Sequence, residues 1–226
     1  MPREYSAAAR KWMVDAQLAT NHIENTTLRK LFAVTPREVF LPESLGSVAY
    51  ADEALPLGNG RFAISPLALA TLIASLHLQP SDRVLIIGGA MGYSAAIIGQ
   101  LAARVVLVDE ARFIDTIGEK LIYAGCRNVH CITGTLEAGA ANEAPFDAIL
   151  IEGAVETLPA ALIAQLREAG RIAYGTIIAA SPASLAGEAA LICAEKRGES
   201  LISRPVGETS LPRLPSFHLP QGFVFS

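Results

Sequence analysis

A run of small residues, Gly88-Gly89-Ala90-Met91-Gly92-Tyr93, follows the unbroken apolar stretch Val84-Leu85-Ile86-Ile87. Glycine is needed where a ligand must approach the backbone and the positive end of a helix, because a side chain would hold it away. Asp109 stands 21 residues beyond Gly88, at the end of a second apolar stretch, Val105 to Val108. A carboxylate so placed accepts both hydroxyls of an adenosine ribose, and that is the chemistry the spacing suggests. The other reading of Asp109 is a helix N-cap, where Asp is favoured whatever the ligand. The dinucleotide fingerprint G-x-G-x-x-G would place glycines at 88, 90 and 93. The chain has Gly88, Ala90 and Tyr93 there, so hydride chemistry on a nicotinamide or flavin is disfavoured.

Those residues need a parallel sheet to position them. Unbroken apolar runs mark strands covered on both faces. Val84–Ile87 is such a run, Val105–Val108 a second buried strand, and Asn128–Thr133, Ala148–Ile151 and Arg171–Ile178 read as the third, fourth and fifth strands. Helices are expected between them over Tyr93–Ala102, Phe113–Ala124 and Leu158–Glu168. Ala189–Glu195 and Ser200–Arg204 read as a hairpin, and the proline-containing tail Thr209–Ser226 reads as extended. Ahead of the sheet, Ala7–Ala19 and Thr27–Phe32 look helical, and Leu55–Gly60 is a loop by composition. A helix opens at Pro66, with Leu69, Leu72, Ile73 and Leu76 on one face. The fold class is α/β, a doubly wound, mostly parallel sheet closed by an antiparallel hairpin. This is the Rossmann-like variant of S-adenosylmethionine-dependent methyltransferases. Residues 1–60 form a helical extension packed on an α/β core of residues 61–226, in one compact domain overall.

Composition narrows the function classes. With 18 Lys plus Arg against 22 Asp plus Glu the net charge is −4, and 51% of residues are apolar, which excludes disorder. No basic run is available to neutralise many phosphates, so nucleic acid is not an expected partner. The most apolar stretches, Leu67–Leu76 and Ile172–Ala180, are far shorter than the roughly 18 residues a membrane helix needs. Met1–Arg10 lacks an apolar leader core, and the chain reads as mature and cytoplasmic. Cys126, Cys131 and Cys193 have no CxxC spacing and fit reduced thiols; the four histidines are scattered, and no metal site is expected. Trp12 reads as an anchor for the N-terminal helix.

Several blocks taken together resemble bacterial protein-L-isoaspartate O-methyltransferases. They are Met13-Val14 with Gln17-Leu18, Thr35-Pro36-Arg37-Glu38-Val39-Phe40, Ala49-Tyr50 with Asp52, Leu55 to Gly60, and Val84-Leu85 through Gly92-Tyr93. The resemblance runs from about Met13 to Tyr174, and its N-terminal blocks are not shared by methyltransferases in general. It implies S-adenosylmethionine as cofactor and the free α-carboxylate of isoaspartyl residues in damaged proteins as acceptor. Such a carboxylate is already nucleophilic at neutral pH, so catalysis would rest on orientation and water exclusion rather than on a strong base. The implied cofactor-binding residues are Gly88, Gly89, Ala90, Gly92, Tyr93, Asp109, Glu110, Thr135 and Glu152. Asp52 and Ser65 are the candidate catalytic residues, Asp52 either bordering the acceptor or standing as a solvated loop acid.

The chain departs from the family's pattern at four columns. The family's E/D-x-G-x-G-x-G finds Ile86, Gly88, Ala90 and Gly92, two matches of four. The family's Gly-Asp-Gly after the third strand is Gly134-Thr135-Leu136, and its substrate-facing Ser column holds Ile64. Ser65, one position on, either takes over that role or caps the helix beside Pro66. A lost hydrogen bond to a charged group is worth about 1.5–3 kcal/mol, so Ile86 alone would weaken cofactor binding. Glu152 either compensates or is a solvated acid, and Tyr93 either stacks near the ligand or packs on the sheet. The alternative function is a non-catalytic binding or regulatory protein with a degenerate cofactor pocket.

Overall fold

The computed structural model describes residues 3–179, 186–215 and 217. Among these, seven strands form one sheet in the order β5-β4-β3-β6-β7-β8-β9. They are β3 (Arg83–Ile87), β4 (Arg104–Asp109), β5 (Val129–Thr133), β6 (Phe146–Val155), β7 (Leu166–Ala179), β8 (Ala186–Arg197) and β9 (Ser200–Pro212). β3 to β7 pair in parallel, whereas β8 and β9 run antiparallel. The order reverses between β3 and β6, which is where a crevice opens at the carboxyl ends of the strands in such sheets.

The apolar runs are buried on both faces for the expected reason. Val84, Ile86, Val105, Leu107, Ala148 and Leu150 point into one apolar cluster. Leu85, Ile87, Val106, Val108, Ile149 and Ile151 point into the other. The first cluster is roofed by α3 (Pro66–Ser75), α4 (Tyr93–Ile98), α5 (Ala111–Tyr123) and the N-terminal elements. The second is covered by α6 (Ala160–Ala164) and by Leu214 and Phe217, which follow β9.

The first helix, α1 (Arg3–Trp12), continues through π-helical turns over Met13–Leu18, whose Met13, Val14, Gln17 and Leu18 are buried. These four side chains dock the extension; Trp12, expected to be the anchor, is 61% exposed. α2 (Thr26–Val34) is capped by Asn25, whose side chain accepts from the Leu28 N–H at 3.0 Å.

Several expected elements differ, among them the helix expected over Tyr93–Ala102, which ends at Ile98. Leu55–Gly60 is not a loop but most of a hairpin, with β1 (Leu55–Gly58) paired to β2 (Arg61–Ala63). Asn59 and Gly60 both have positive φ, 51° and 72°, the backbone that two-residue hairpin turns demand. The expected boundary at residue 60 therefore falls within a single hairpin. The helix expected over Leu158–Glu168 is only Ala160–Ala164, because the chain re-enters the sheet at Leu166 opposite Phe146. The closing hairpin is longer than expected and carries the chain to Pro212. Residues 216 and 218–226 of the expected extended tail lie outside the described residues.

Candidate functional site

At the carboxyl end of β3 the chain turns sharply. Gly88 has φ +74° and Gly92 φ +90°, and Gly92 caps α4 in the left-handed region. Ala90 keeps the left-handed backbone with φ 43° although it has a Cβ, a conformation that costs a non-glycine residue on the order of 1 kcal/mol. Gly89 packs inward: a Cβ there would lie 2.9 Å from both Ile86 and Leu107 and 3.1 Å from Glu152 Oε1. Ile86, in the family's acid column, is thus buried packing beneath the loop.

Asp109 ends β4 and is fully buried. Its Oδ2 accepts from the Ala90 N–H at 2.7 Å, and its Oδ1 from the Glu110 N–H at 2.7 Å. Both oxygens also accept from Arg61. Nη1 donates to Oδ1 at 2.6 Å and Nη2 to Oδ2 at 2.8 Å, a two-pronged ion pair. Nη1 donates further to Glu110 Oε1 at 2.9 Å, and Nη2 to the Gly88 carbonyl at 3.0 Å. The guanidinium lies 4.9 Å from the Phe113 ring centre. Burial opposes its charge, but Asp109 and Glu110 outweigh that penalty and hold its pKa above the ordinary value.

The other wall of the crevice is Leu214. Its backbone N–H donates to the Ala154 carbonyl at 2.9 Å, and the side chain is 4% exposed. A Cβ on Gly88 would lie 3.1 Å from Leu214 Cδ2, and one on Gly153 would lie 2.9 Å from its Cδ1. Leu214 therefore sits directly on the two glycines that end β3 and interrupt β6. Phe217 N–H returns to the Leu214 carbonyl at 3.1 Å, and Arg213 pairs with Glu156 at 3.2 Å.

Beside this filled hollow is a small cavity of about 20 Å³, its mostly apolar lining interrupted by Arg37, Tyr93 and Glu152. That is room for about one water molecule. Arg37 is 2% exposed and donates from Nη2 to the Ile64 carbonyl at 2.7 Å, with its guanidinium 5.2 Å from the Tyr93 ring centre. Among the described residues, its Nε, the Tyr93 hydroxyl and Glu152 Oε1 have no hydrogen-bond partner. Burial, reinforced by the charge of Asp109, pushes the Glu152 carboxyl up to about 7, against the pull of Arg37 and Arg61.

The glycine loop, Asp109, Glu110 and Glu152 are thus brought together at one rim. Glu110 is exposed and holds Arg112 as well as Arg61. Thr135 is exposed just beyond β5. Tyr93 faces away from the hollow and packs against Phe32 and Phe40 at 5.9 and 5.8 Å. Ser65 and Asp52 meet at the first turn of α3. Ser65 Oγ accepts from the Ala68 N–H at 3.2 Å as the N-cap, and Asp52 Oδ1 accepts from the Leu67 N–H at 3.3 Å. Ile64, not Ser65, lines the small cavity. The sequence reading overlooked three site residues: Arg61, Leu214 and Arg37. A signal existed for the first: a lone arginine directly after Asn59-Gly60 and before Phe62-Ala63-Ile64 is a charge on a strand bound for the core.

The family model for protein-L-isoaspartate(D-aspartate) O-methyltransferase matches residues 8–200. A Methylorubrum extorquens protein-L-isoaspartate O-methyltransferase is 36% identical over 166 residues, 74% of this chain and 73% of that one. The Brucella anthropi protein of the same name is 35% identical over 190 residues, 84% of each. Among solved structures, a protein-L-isoaspartate O-methyltransferase superposes with a TM-score of 0.75 at 23% identity, over 91% of this chain; this chain spans 65% of that one. A Plasmodium falciparum structure described as such a methyltransferase, in complex with S-adenosyl-L-homocysteine, gives 0.68 at 18% identity, over 92% of this chain and 98% of that one.

An adenosyl cofactor does not fit the crevice as this chain holds it. A carboxylate offers about four lone-pair positions. Two on Asp109 take backbone N–H groups and two take Arg61, which leaves none for ribose hydroxyls. Leu214 covers the glycines against which a nucleotide would lie.

Proposed function

Because the chain belongs to the protein-L-isoaspartate O-methyltransferase family, we propose that its reaction is methyl transfer from S-adenosylmethionine to the free α-carboxylate of isoaspartyl residues in damaged proteins, in the cytoplasm. The observation that carries this reading is the family match over residues 8–200, which takes in the N-terminal extension, the glycine loop and most of the sheet. Gly88, Gly89, Ala90, Gly92, Asp109, Glu110 and Glu152 line the rim where the donor would be taken up, with Tyr93 and Thr135 at its margins. Asp52 and Ser65, together at the first turn of α3, border the acceptor side. The acceptor needs no strong base, so the work of these residues is to orient it and to keep water away.

One observation favours the second reading, a non-catalytic binding or regulatory protein: Arg61 and Leu214 fill the crevice. The two readings separate on incubation of the chain with methyl-labelled S-adenosylmethionine and an isoaspartyl peptide, beside the same peptide with ordinary aspartate. The expected result is label in the isoaspartyl peptide alone. No label with the native chain, nor with Arg61→Gln and Leu214→Ala variants, leaves the second reading in place.

A further inference from the structure

We infer that Arg61 and Leu214 form an internal latch on the cofactor crevice, Arg61 standing where the adenosyl ribose would bind and Leu214 covering the glycine floor. The inference rests on the crevice being the donor site. The resting chain then excludes S-adenosyl ligands, and uptake requires both side chains to withdraw.

Several features mark Arg61 as a substitute ligand rather than ordinary core. Its two terminal nitrogens meet the two Asp109 oxygens in parallel, the geometry two vicinal hydroxyl donors would adopt. Asp109 keeps its two backbone N–H partners either way, so removing Arg61 returns it to a carboxylate with two free acceptor positions facing the hollow. The element that delivers Arg61 is also separable from the sheet. β1 and β2 pair only with each other, as a two-stranded sheet, and neither joins the seven-stranded one. The hairpin is pinned from outside by Arg112, which reaches the Gly58 carbonyl at 3.4 Å and Glu110 at 2.9 Å. Swinging β1–β2 outward costs these pins, the Arg61 pair and the burial of Leu55 against the core, but no hydrogen bond of the main sheet.

Leu214 is likewise carried by a detachable piece. After Pro212 the chain is tied to the end of β6 by Leu214 N–H to Ala154, Glu156 N–H to Phe217 and the Arg213–Glu156 ion pair. The two plugs close on the same point: the position of a Gly88 Cβ would lie 3.2 Å from Leu214 Cδ1 and 3.4 Å from Arg61 Nη2. Two segments from opposite ends of the chain thus converge on one glycine.

The test is calorimetric titration of S-adenosylhomocysteine into the native full chain and into Arg61→Gln, Leu214→Ala and the double variant, each checked for cooperative thermal unfolding. Arg61→Gln removes the charge and one prong; Leu214→Ala disturbs no ion pair, so it decides the matter if Arg61→Gln fails to fold. The expected result is no saturable binding, or weak binding, by the native chain, and affinity raised about tenfold or more in the folded variants. Equal affinity in native and variant chains overturns the latch while leaving the methyltransferase reading intact. Absence of binding in every folded variant also overturns it, because the plugs would then not be what keeps the ligand out. A rise in affinity without methyl transfer to the isoaspartyl peptide upholds the latch and removes the repair reading.

Discussion

Arg37 and Arg61 leave the same N-terminal stretch, reach the same rim of the sheet and are equally buried, yet their surroundings are opposite. Arg61 spends its terminal nitrogens on one buried carboxylate, one exposed carboxylate and a carbonyl. Arg37 has one carbonyl and the face of Tyr93, no ion pair among the described residues, and an orphaned Nε. Burial accordingly lowers the pKa of Arg37, while the carboxylates raise that of Arg61. Depth alone therefore says little about a buried charge. Both guanidinium groups leave Nε without a partner among the described residues, but Arg61 meets Asp109 with two prongs, whereas Arg37 lies beside Tyr93 and Glu152 at a cavity with room for about one water molecule.

The most severe way to break this contrast is Asp109→Ala. It strands a buried guanidinium, and loss of one partner of a buried pair costs about 3–5 kcal/mol. Urea unfolding should show a loss in that range; a loss below about 1 kcal/mol would mean that Arg61 escapes to solvent and is held there weakly. The next test concerns Glu152, the carboxylate nearest in character to a partner for Arg37. Its pKa of about 7 lies above the ordinary 4.5, so the folded chain keeps a proton that the unfolded chain has lost. That contribution is fully present below about pH 4.5 and fades as pH rises to about 7, by up to about 3 kcal/mol. Stability of the native chain minus that of Glu152→Gln should fall across this window. A difference that rises instead would show Glu152 ionised and paired with Arg37. The smallest effect is expected from Arg37→Met. It removes no ion pair, leaves the Ile64 carbonyl unsatisfied, and should cost about 1–3 kcal/mol by the same unfolding assay, less than Asp109→Ala.

How much of this was legible beforehand varies with the range of the interaction. The strands declare themselves because burial on two faces forces unbroken apolar runs such as Val84–Ile87. The glycine loop and Asp109 follow from local geometry and spacing, and Ser65 beside Pro66 carries its capping role in two adjacent letters. Arg61 was hidden because its partner lies 48 residues away, and nothing near it in the chain is acidic. Leu214 was hidden within a proline-containing tail that reads only as extended, although it covers two glycines far upstream. Trp12 misled for the converse reason: size suggests an anchor, but Met13, Val14, Gln17 and Leu18 take the buried face and leave the indole outside.

The position of Leu214 in the chain has a consequence for biosynthesis. Leu214 is synthesised after every strand it rests on, so its contact with Gly88 and Gly153 forms only once those strands exist. The cover on those glycines is therefore supplied by a segment translated long after the floor it rests on.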